Sequence, residues 1–296
     1  MKMPNETSMD NIQVDEARLP ENSIGALISQ TRNLSAEQVE KILDHQRSSG
    51  LRFGEAAVEL GYASSDDVLF ALAQQFHYPY SPDEKKQLSP ELVALTQPFS
   101  DQAEAFRATR SQLIMRMYGE GEPRRALAVI SPDTQDGKSY FCANLAVTLA
   151  QLGGRTLLVD ADMRNPRQHE IFKLDNRDGL STILSGRGGS NVIQQIPNIP
   201  SLFVLPVGVT PPNPIELVER PAFGLMLREL LSKFDHVVVD TPAAVHGADA
   251  AVIAAKCGAA LVIARKDASR VDALQDLVAM FSQSPAKLVG VVVNEF

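Results

Sequence analysis

The sequence predicts an α/β protein with a mostly parallel sheet, preceded by a small helical domain. Three observations carry that prediction. From about residue 100 onward, apolar runs of strand length alternate with helix-like stretches. The polar run Asp133-Thr-Gln-Asp-Gly-Lys-Ser139 lies between a strand-like stretch, Ala126-Leu-Ala-Val-Ile130, and a helix-like one, Cys142–Ala150. Residues 24–76, in contrast, have helical periodicity.

Taken in order, residues 1–22 are polar and mixed, and they read as a mobile tail. Residues 23–46 and 52–75 align as an internal repeat at a spacing of 29. Ile24-Gly25, Ile28, Leu34, Val39, Leu43 and Gln46 match Phe53-Gly54, Ala57, Ala63, Val68, Leu72 and Gln75. Two amphipathic helical hairpins sharing one small core would produce this pattern. Residues 77–99 carry Pro79, Pro82, Pro90 and Pro98 and read as a linker. The strands that follow are expected at 126–131, 155–160, 202–206, 236–240, 259–264 and 288–293. Residues 100–296 thus form the main α/β domain.

Strand, glycine-containing loop, Gly-Lys-Ser and helix, in that sequence, make the setting of a phosphate-binding loop. Backbone N–H groups and the helix N-terminus face the anion there. Asp136, Gly137, Lys138, Ser139 and Tyr140 are the residues this places against a nucleotide. Lys138 would reach the β- and γ-phosphates, and the Ser139 hydroxyl would ligate Mg²⁺. The usual pattern has glycine five positions before Gly137, where this chain has Pro132, so a polar strand-to-helix turn stays open on this run alone. Two further strands end in carboxylates. Arg155-Thr-Leu-Leu-Val-Asp160 continues into Ala161-Asp162-Met-Arg164, and His236-Val-Val-Val-Asp240 continues into Thr241-Pro242. Ligands of open parallel sheets bind beyond the carboxyl ends of the strands. Asp160, Asp162 and Asp240 therefore converge on the edge that carries Lys138.

Composition narrows the function classes. A net charge of −8 argues against broad nucleic-acid binding. No apolar run reaches the roughly 18 residues of a membrane helix, and the N-terminus lacks the apolar segment of a secretory signal. The two cysteines, Cys142 and Cys257, lie in stretches that read as buried helix, with no zinc-like spacing. A cytoplasmic protein is expected.

Residues 100–296 resemble the bacterial tyrosine kinases of capsule and exopolysaccharide export, within the wider deviant P-loop group of septum-site and plasmid-partition ATPases. The resemblance rests on Ser131–Ser139 with Ala143-Asn-Leu-Ala146, and on Leu158-Val-Asp-Ala-Asp-Met-Arg164 with Pro166. It rests also on Gly208-Val-Thr-Pro-Pro-Asn-Pro-Ile-Glu-Leu217, and on Val237-Val-Val-Asp-Thr-Pro242 with Asp249-Ala250. The partition ATPases carry a second lysine five residues before the loop lysine; this chain has Asp133 there, which cannot serve as a cation.

The resemblance implies transfer of the ATP γ-phosphoryl group to a tyrosine hydroxyl. Lys138, Asp160, Asp162 and Asp240 would be catalytic. Ser139, Asp162 and Asp240 would manage Mg²⁺, Asp160 would accept or orient the tyrosine proton, and Asn294 would contact adenine. Glu104, Arg107 and Arg110 match a Glu-x-x-Arg-x-x-Arg pattern that joins subunits into a ring; a solvent-exposed helical ion pair is the plainer reading. The family usually carries a C-terminal tyrosine cluster. The five tyrosines here are Tyr62, Tyr78, Tyr80, Tyr118 and Tyr140, so phosphorylation on a tail cluster is not expected. A separate transmembrane chain-length regulator would recruit the protein to the inner face of the membrane. A non-kinase ATPase switch assembling on such a partner is the competing function.

The repeat at 23–76 resembles the N-terminal domain of type II secretion ATPases, some of which bind cyclic di-GMP through tandem motifs. Gly25, Arg52, Gly54 and Gly61 are the positions this implies, with Ser23 and Arg32 standing where Arg52 and Gly61 stand in the second repeat. A docking domain for a protein is the alternative.

Overall fold

The computed structural model describes residues 23–75, 88–117, 121, 123–187, 192–197, 199–282 and 284–295. The expected tail, Phe76, residues 77–87 of the expected linker, which include Tyr78 and Tyr80, and Tyr118 lie outside the described residues. The chain divides into two compact units, Met1–Pro82 and Asp83–Phe296.

The first unit contains α1 (Ile24–Arg32), α2 (Ala36–Ser49), α3 (Phe53–Glu59) and α4 (Ser65–Gln75). The helix starts repeat the 29-residue spacing, from Ile24 to Phe53 and from Ala36 to Ser65. The caps repeat too. Ser35 and Gln38 bond reciprocally at the start of α2, through Gln38 N to Ser35 Oγ and Ser35 N to Gln38 Oε1. Ser64 and Asp67 do the same before α4. Ile28 and Ile42 are fully buried, as are their counterparts Ala57 and Ala71. Gly54 is required by packing: a Cβ there would lie 2.8 Å from Val68 Cγ1 on α4. Arg32 of the first repeat bonds Asp67 of the second at 2.7 Å.

The second unit is a seven-stranded sheet in the order β3-β4-β2-β5-β1-β6-β7. The strands are β1 (Ala126–Ile130), β2 (Thr156–Asp160), β3 (Gln194–Ile196), β4 (Ile199–Leu205), β5 (His236–Asp240), β6 (Gly258–Arg265) and β7 (Lys287–Asn294). All neighbours are parallel except β3 and β4. The short edge strand β3, with its polar Gln194-Gln195, carries no strand-like apolar run and was not expected. Side chains alternate between two apolar layers. Leu127, Val129, Leu158 and Val238 enter one, and Ala126, Ala128, Ile130, Leu157, Val159 and Val239 enter the other. The first layer is closed by α5 (Val93–Thr96), α6 (Asp101–Met117) and α7 (Lys138–Ala150). The second is closed by α9 (Leu180–Leu184), α10 (Pro214–Glu219), α11 (Pro221–Lys233), α12 (Asp249–Cys257) and α13 (Val271–Ser282). Between the two sets in the chain lies the short α8 (Gln168–Ile171).

The linker expectation needs correcting over its second half. Leu92, Val93, Ala94 and Leu95 are buried in the first layer. Asn144 of α7 accepts from Ala94 N at 3.0 Å and donates to Glu91 O at 2.8 Å and Tyr140 O at 2.9 Å. Pro90 and Pro98 bracket a built-in turn and a one-turn helix rather than a loose connection, because an apolar Leu-Val-Ala-Leu run between them finds a place under the sheet.

Candidate active site

The carboxyl edge of the sheet brings the predicted loop and acids together. After β1 the chain turns through Gln135 (φ 62°) and Gly137 (φ 90°) into the first residue of α7, Lys138. The left-handed conformation at Gly137 is one that a side chain disfavours. The first turn of α7 therefore presents its N–H groups beside Lys138 and Ser139. Lys138 is 6% exposed, so it is not the free loop lysine that a surface turn suggests. Its Nζ donates to Ser131 Oγ at 2.9 Å, and Ser131 Oγ donates to Asp133 O at 2.6 Å. Asp136 accepts from Asp133 N at 3.0 Å and from Ser269 Oγ at 2.8 Å, which braces the loop against the segment after β6.

Asp160 and Asp240 end adjacent strands in register, and both are fully buried. Asp160 accepts from the backbone N–H groups of Asp162 at 3.2 Å, Arg167 at 3.1 Å and Gln168 at 3.0 Å. Burial first, and then the nearby Asp240 charge, pushes the Asp160 carboxyl well above its usual range. Asp240 is raised by burial too, while the Gln168 amide, the nearby Ser139 hydroxyl and the Lys138 charge pull the other way. Asp240 Oδ2 accepts from Gln168 Nε2 at 2.8 Å; its Oδ1 makes no well-formed hydrogen bond among the described residues, although the Ser139 hydroxyl and the Cys142 thiol lie near this carboxylate. Asp162 accepts from Arg164 N and Asn165 N at 3.1 and 2.9 Å. Arg164 is in turn anchored to Asp249 at 2.9 Å.

A cleft of about 660 Å³ opens above this edge. Gly137, Lys138, Ser139, Tyr140 and Asp162 line it; Asp160, Asp240 and Asp136 lie buried beneath. Glu91, Arg167, His246 and Arg265 also line it and were missed in the sequence. Arg167 and Glu91 pair across the mouth at 2.8 Å. Nothing in their local sequence marks them, because a turn after an acidic strand end and a segment read as linker bring them together. Burial, together with Glu91, raises the Tyr140 hydroxyl above its ordinary value. Asn294 ends β7 and donates to Asp136 O at 3.3 Å, which ties the last strand to the loop.

The residues fit a hydrated divalent cation brought in with phosphate. The buried Asp240 Oδ1 is an orphaned acceptor, and Ser139 and Asp162 stand in the cleft. Among the described residues no group of three or more His, Cys, Asp or Glu could hold a metal unaided. That suits Mg²⁺, which keeps several waters and shares substrate phosphates.

Glu104, Arg107 and Arg110 are not among the residues that line the cleft. Glu104 bonds Arg107 at 2.8 Å, Arg107 also donates to Pro98 O, and Arg110 donates to Thr148 O. Both arginines are thus engaged within the chain, and Glu104 is the exposed member. In the first unit Gly25 and Gly54 are buried, whereas Arg52 and Gly61 are exposed. No described helix is long and apolar enough to cross a membrane.

The sequence model of the CobQ/CobB/MinD/ParA nucleotide binding domain matches residues 127–296. The tyrosine-protein kinase Wzc of Salmonella typhimurium is 32% identical over 210 residues, covering 71% of this chain and 29% of that protein. The chain thus spans less than a third of Wzc. It covers 82% of the tyrosine-protein kinase CpsD of Streptococcus agalactiae, at 32% identity over 193 residues. Among solved structures, the chimerical protein CapA2B2 superposes with a TM-score of 0.65 at 33% identity, covering 72% of this chain and 97% of that one. Residues 1–126 lie outside the family match, so the front repeat stands apart from it. The chain belongs to the CobQ/CobB/MinD/ParA nucleotide-binding family and, within it, to the bacterial tyrosine-protein kinases of the Wzc and CpsD kind.

Proposed function

We propose that the protein transfers the γ-phosphoryl group of ATP to protein tyrosine hydroxyls and so regulates capsule or exopolysaccharide polymerisation and export. One observation carries the reading: Lys138 and Ser139 at a helix N-terminus share a cleft with Asp162, directly above the paired carboxylates Asp160 and Asp240. Phosphoryl transfer needs positioning and charge neutralisation more than covalent help. Lys138 leaves Ser131 to meet the β- and γ-phosphates, and the amides of the first turn of α7 bind their oxygens. Ser139, Asp162 and Asp240 hold the cation. Mg²⁺, when bound, supplies neutralisation of the phosphate charge. Asp160 accepts the tyrosine proton or orients that hydroxyl. It reaches substrate only when the turn 161–168, which now covers it, moves. Asn294 contacts adenine.

A nucleotide-driven switch without kinase activity is the competing reading, and Asp133, where partition ATPases carry a lysine, disfavours it. Incubation with γ-labelled ATP, with and without the cytosolic segment of a membrane partner, separates the two. Label on tyrosine supports the kinase; free phosphate alone overturns it.

Glu104, Arg107 and Arg110 join subunits into a ring by exchanging their present partners for a neighbour's. Light scattering with nucleotide and Mg²⁺ tests this, and a monomer under those conditions refutes it. A separate membrane protein anchors the kinase at the inner face of the membrane; the similarity to a CapA2B2 chimera supports a two-component arrangement. For the front unit we favour docking to a protein. Cyclic di-GMP bound through Gly25, Arg52, Gly54 and Gly61 has the 29-residue repeat in its favour, but two of those glycines are buried. Calorimetry with cyclic di-GMP decides between them.

A further inference from the structure

Gln168 belongs to none of the acidic motifs, yet it touches the segments that carry all of them. It is the first residue of α8 and is fully buried. Its backbone N–H donates to Asp160 Oδ2 at 3.0 Å. Its amide nitrogen donates to the carbonyl of Ser139 at 3.0 Å and to Asp240 Oδ2 at 2.8 Å. Both amide hydrogens are therefore used, one on the phosphate-loop helix and one on β5, while the backbone holds the end of β2. In this cluster two buried acceptors, Gln168 Oε1 and Asp240 Oδ1, are left without hydrogen-bond partners among the described residues; Gln151 Oε1 and Asp249 Oδ1 are others in the same unit. Buried acceptors are normally satisfied, and exceptions mark a place where a missing donor belongs.

We propose that Gln168 is a positioning residue for the divalent cation. By holding Asp240 Oδ2, it leaves Oδ1 as the oxygen offered to the cation and its water. This rests on the ATP–Mg²⁺ reading of the cleft. The residue type follows from the contacts. Asparagine is one methylene too short to bridge α7 and β5. Glutamate lacks both N–H donors and adds a fourth carboxylate to Asp160, Asp162 and Asp240. Methionine keeps the length and apolar volume and removes every hydrogen bond of the side chain.

The test uses the full chain and reads binding, not turnover. A fluorescent ATP analogue is titrated in EDTA, and Mn²⁺ is then titrated by EPR in the presence of a non-hydrolysable ATP analogue. In Gln168→Met, nucleotide affinity in EDTA should stay within about twofold, while Mn²⁺ affinity falls about 10–100-fold, the usual effect of losing a residue that orients a metal ligand. Gln168→Leu removes the same side-chain hydrogen bonds without adding charge and serves if the methionine variant fails to fold; it too should lose Mn²⁺ affinity out of proportion to nucleotide affinity. A folded variant that binds Mn²⁺ like the parent overturns the proposal. So does an equal loss of metal-free nucleotide binding, which would mean general collapse of the site. If the parent itself binds no nucleotide, the reading of the cleft fails first, and this inference with it.

Discussion

The two units treat polar groups in opposite ways. Among residues 23–75 no polar or charged side chain is buried, and the Ser, Gln and Asp caps work at the surface. The P-loop unit instead buries Ser131, Asp136, Lys138, Asp160, Asp162, Gln168, Asp240, Thr241 and Asp249 about one sheet edge. Taking charges out of water costs several kcal/mol each unless they are paired and hydrogen-bonded. A fold does not need such a cluster, so its presence marks chemistry. The front unit shows what the same chain looks like when only packing is at stake: aliphatic residues inside, caps outside, and a glycine where two helices touch.

The sharpest way to test the contrast is to remove charge from the buried edge. Lys138→Ala should cut phosphoryl transfer by about 10²-fold or more. Folding should survive, since a small cavity replaces a group held by one hydrogen bond to Ser131. Labelled-ATP transfer and thermal melting measure the two effects, and undiminished turnover would break the assignment. Asp160→Asn comes next, with a loss of about 10²–10⁴-fold in transfer and nucleotide affinity kept within several-fold. If affinity collapses with rate, Asp160 is a metal-holding group and not the proton acceptor.

The front unit should respond in stability alone. Ile42→Ala should destabilise it by about 2–5 kcal/mol while leaving nucleotide binding by the P-loop unit intact. Calorimetric scanning would show one transition falling and the other staying put. Gly54→Ala, which would set a Cβ 2.8 Å from Val68 Cγ1, should cost about 1–3 kcal/mol; a variant as stable as the parent would show that α3 and α4 can separate freely. The smallest effect is on pH dependence. The folded Asp160 carboxyl holds its proton above the ordinary range, near 3.9 for the unfolded chain. The native state then binds more protons than the unfolded state in the window above that value, so stability falls as pH rises through it. Asp160→Asn, in the absence of Mg²⁺, should flatten this part of the Tm–pH profile. An unchanged slope would mean that other groups set it.

Much of this was legible in the sequence, for physical reasons. Strands buried on both faces read as unbroken apolar runs, so β1, β2, β5 and β6 stood out. Their terminal carboxylates placed Asp160 and Asp240 at the ligand edge without any structure. The repeat was legible because apolar residues, a glycine and a closing glutamine recur at one spacing. The rest depended on contacts between distant segments. Gln168 is an ordinary polar residue in a one-turn helix, and only the meeting of β2, β5 and α7 gives it a role. Glu91 stood in a proline-bracketed stretch that resembled a connection until Asn144 was seen to hold it. The burial of Lys138, whose ammonium donates to Ser131 Oγ, likewise shows in no local pattern.

The Asn144 clamp has a mechanical consequence. It fastens two backbone atoms of the incoming chain, Glu91 O and Ala94 N, to the helix that begins at Lys138. Six residues of α7, about 9 Å of rise, separate the fastening from the lysine. A pull along the chain from its N-terminal side therefore loads α7 sideways at Asn144 before it can peel Leu92–Leu95 from under the sheet. The fastening acts as a strain relief, and the phosphate-binding turn sits on the same rigid rod.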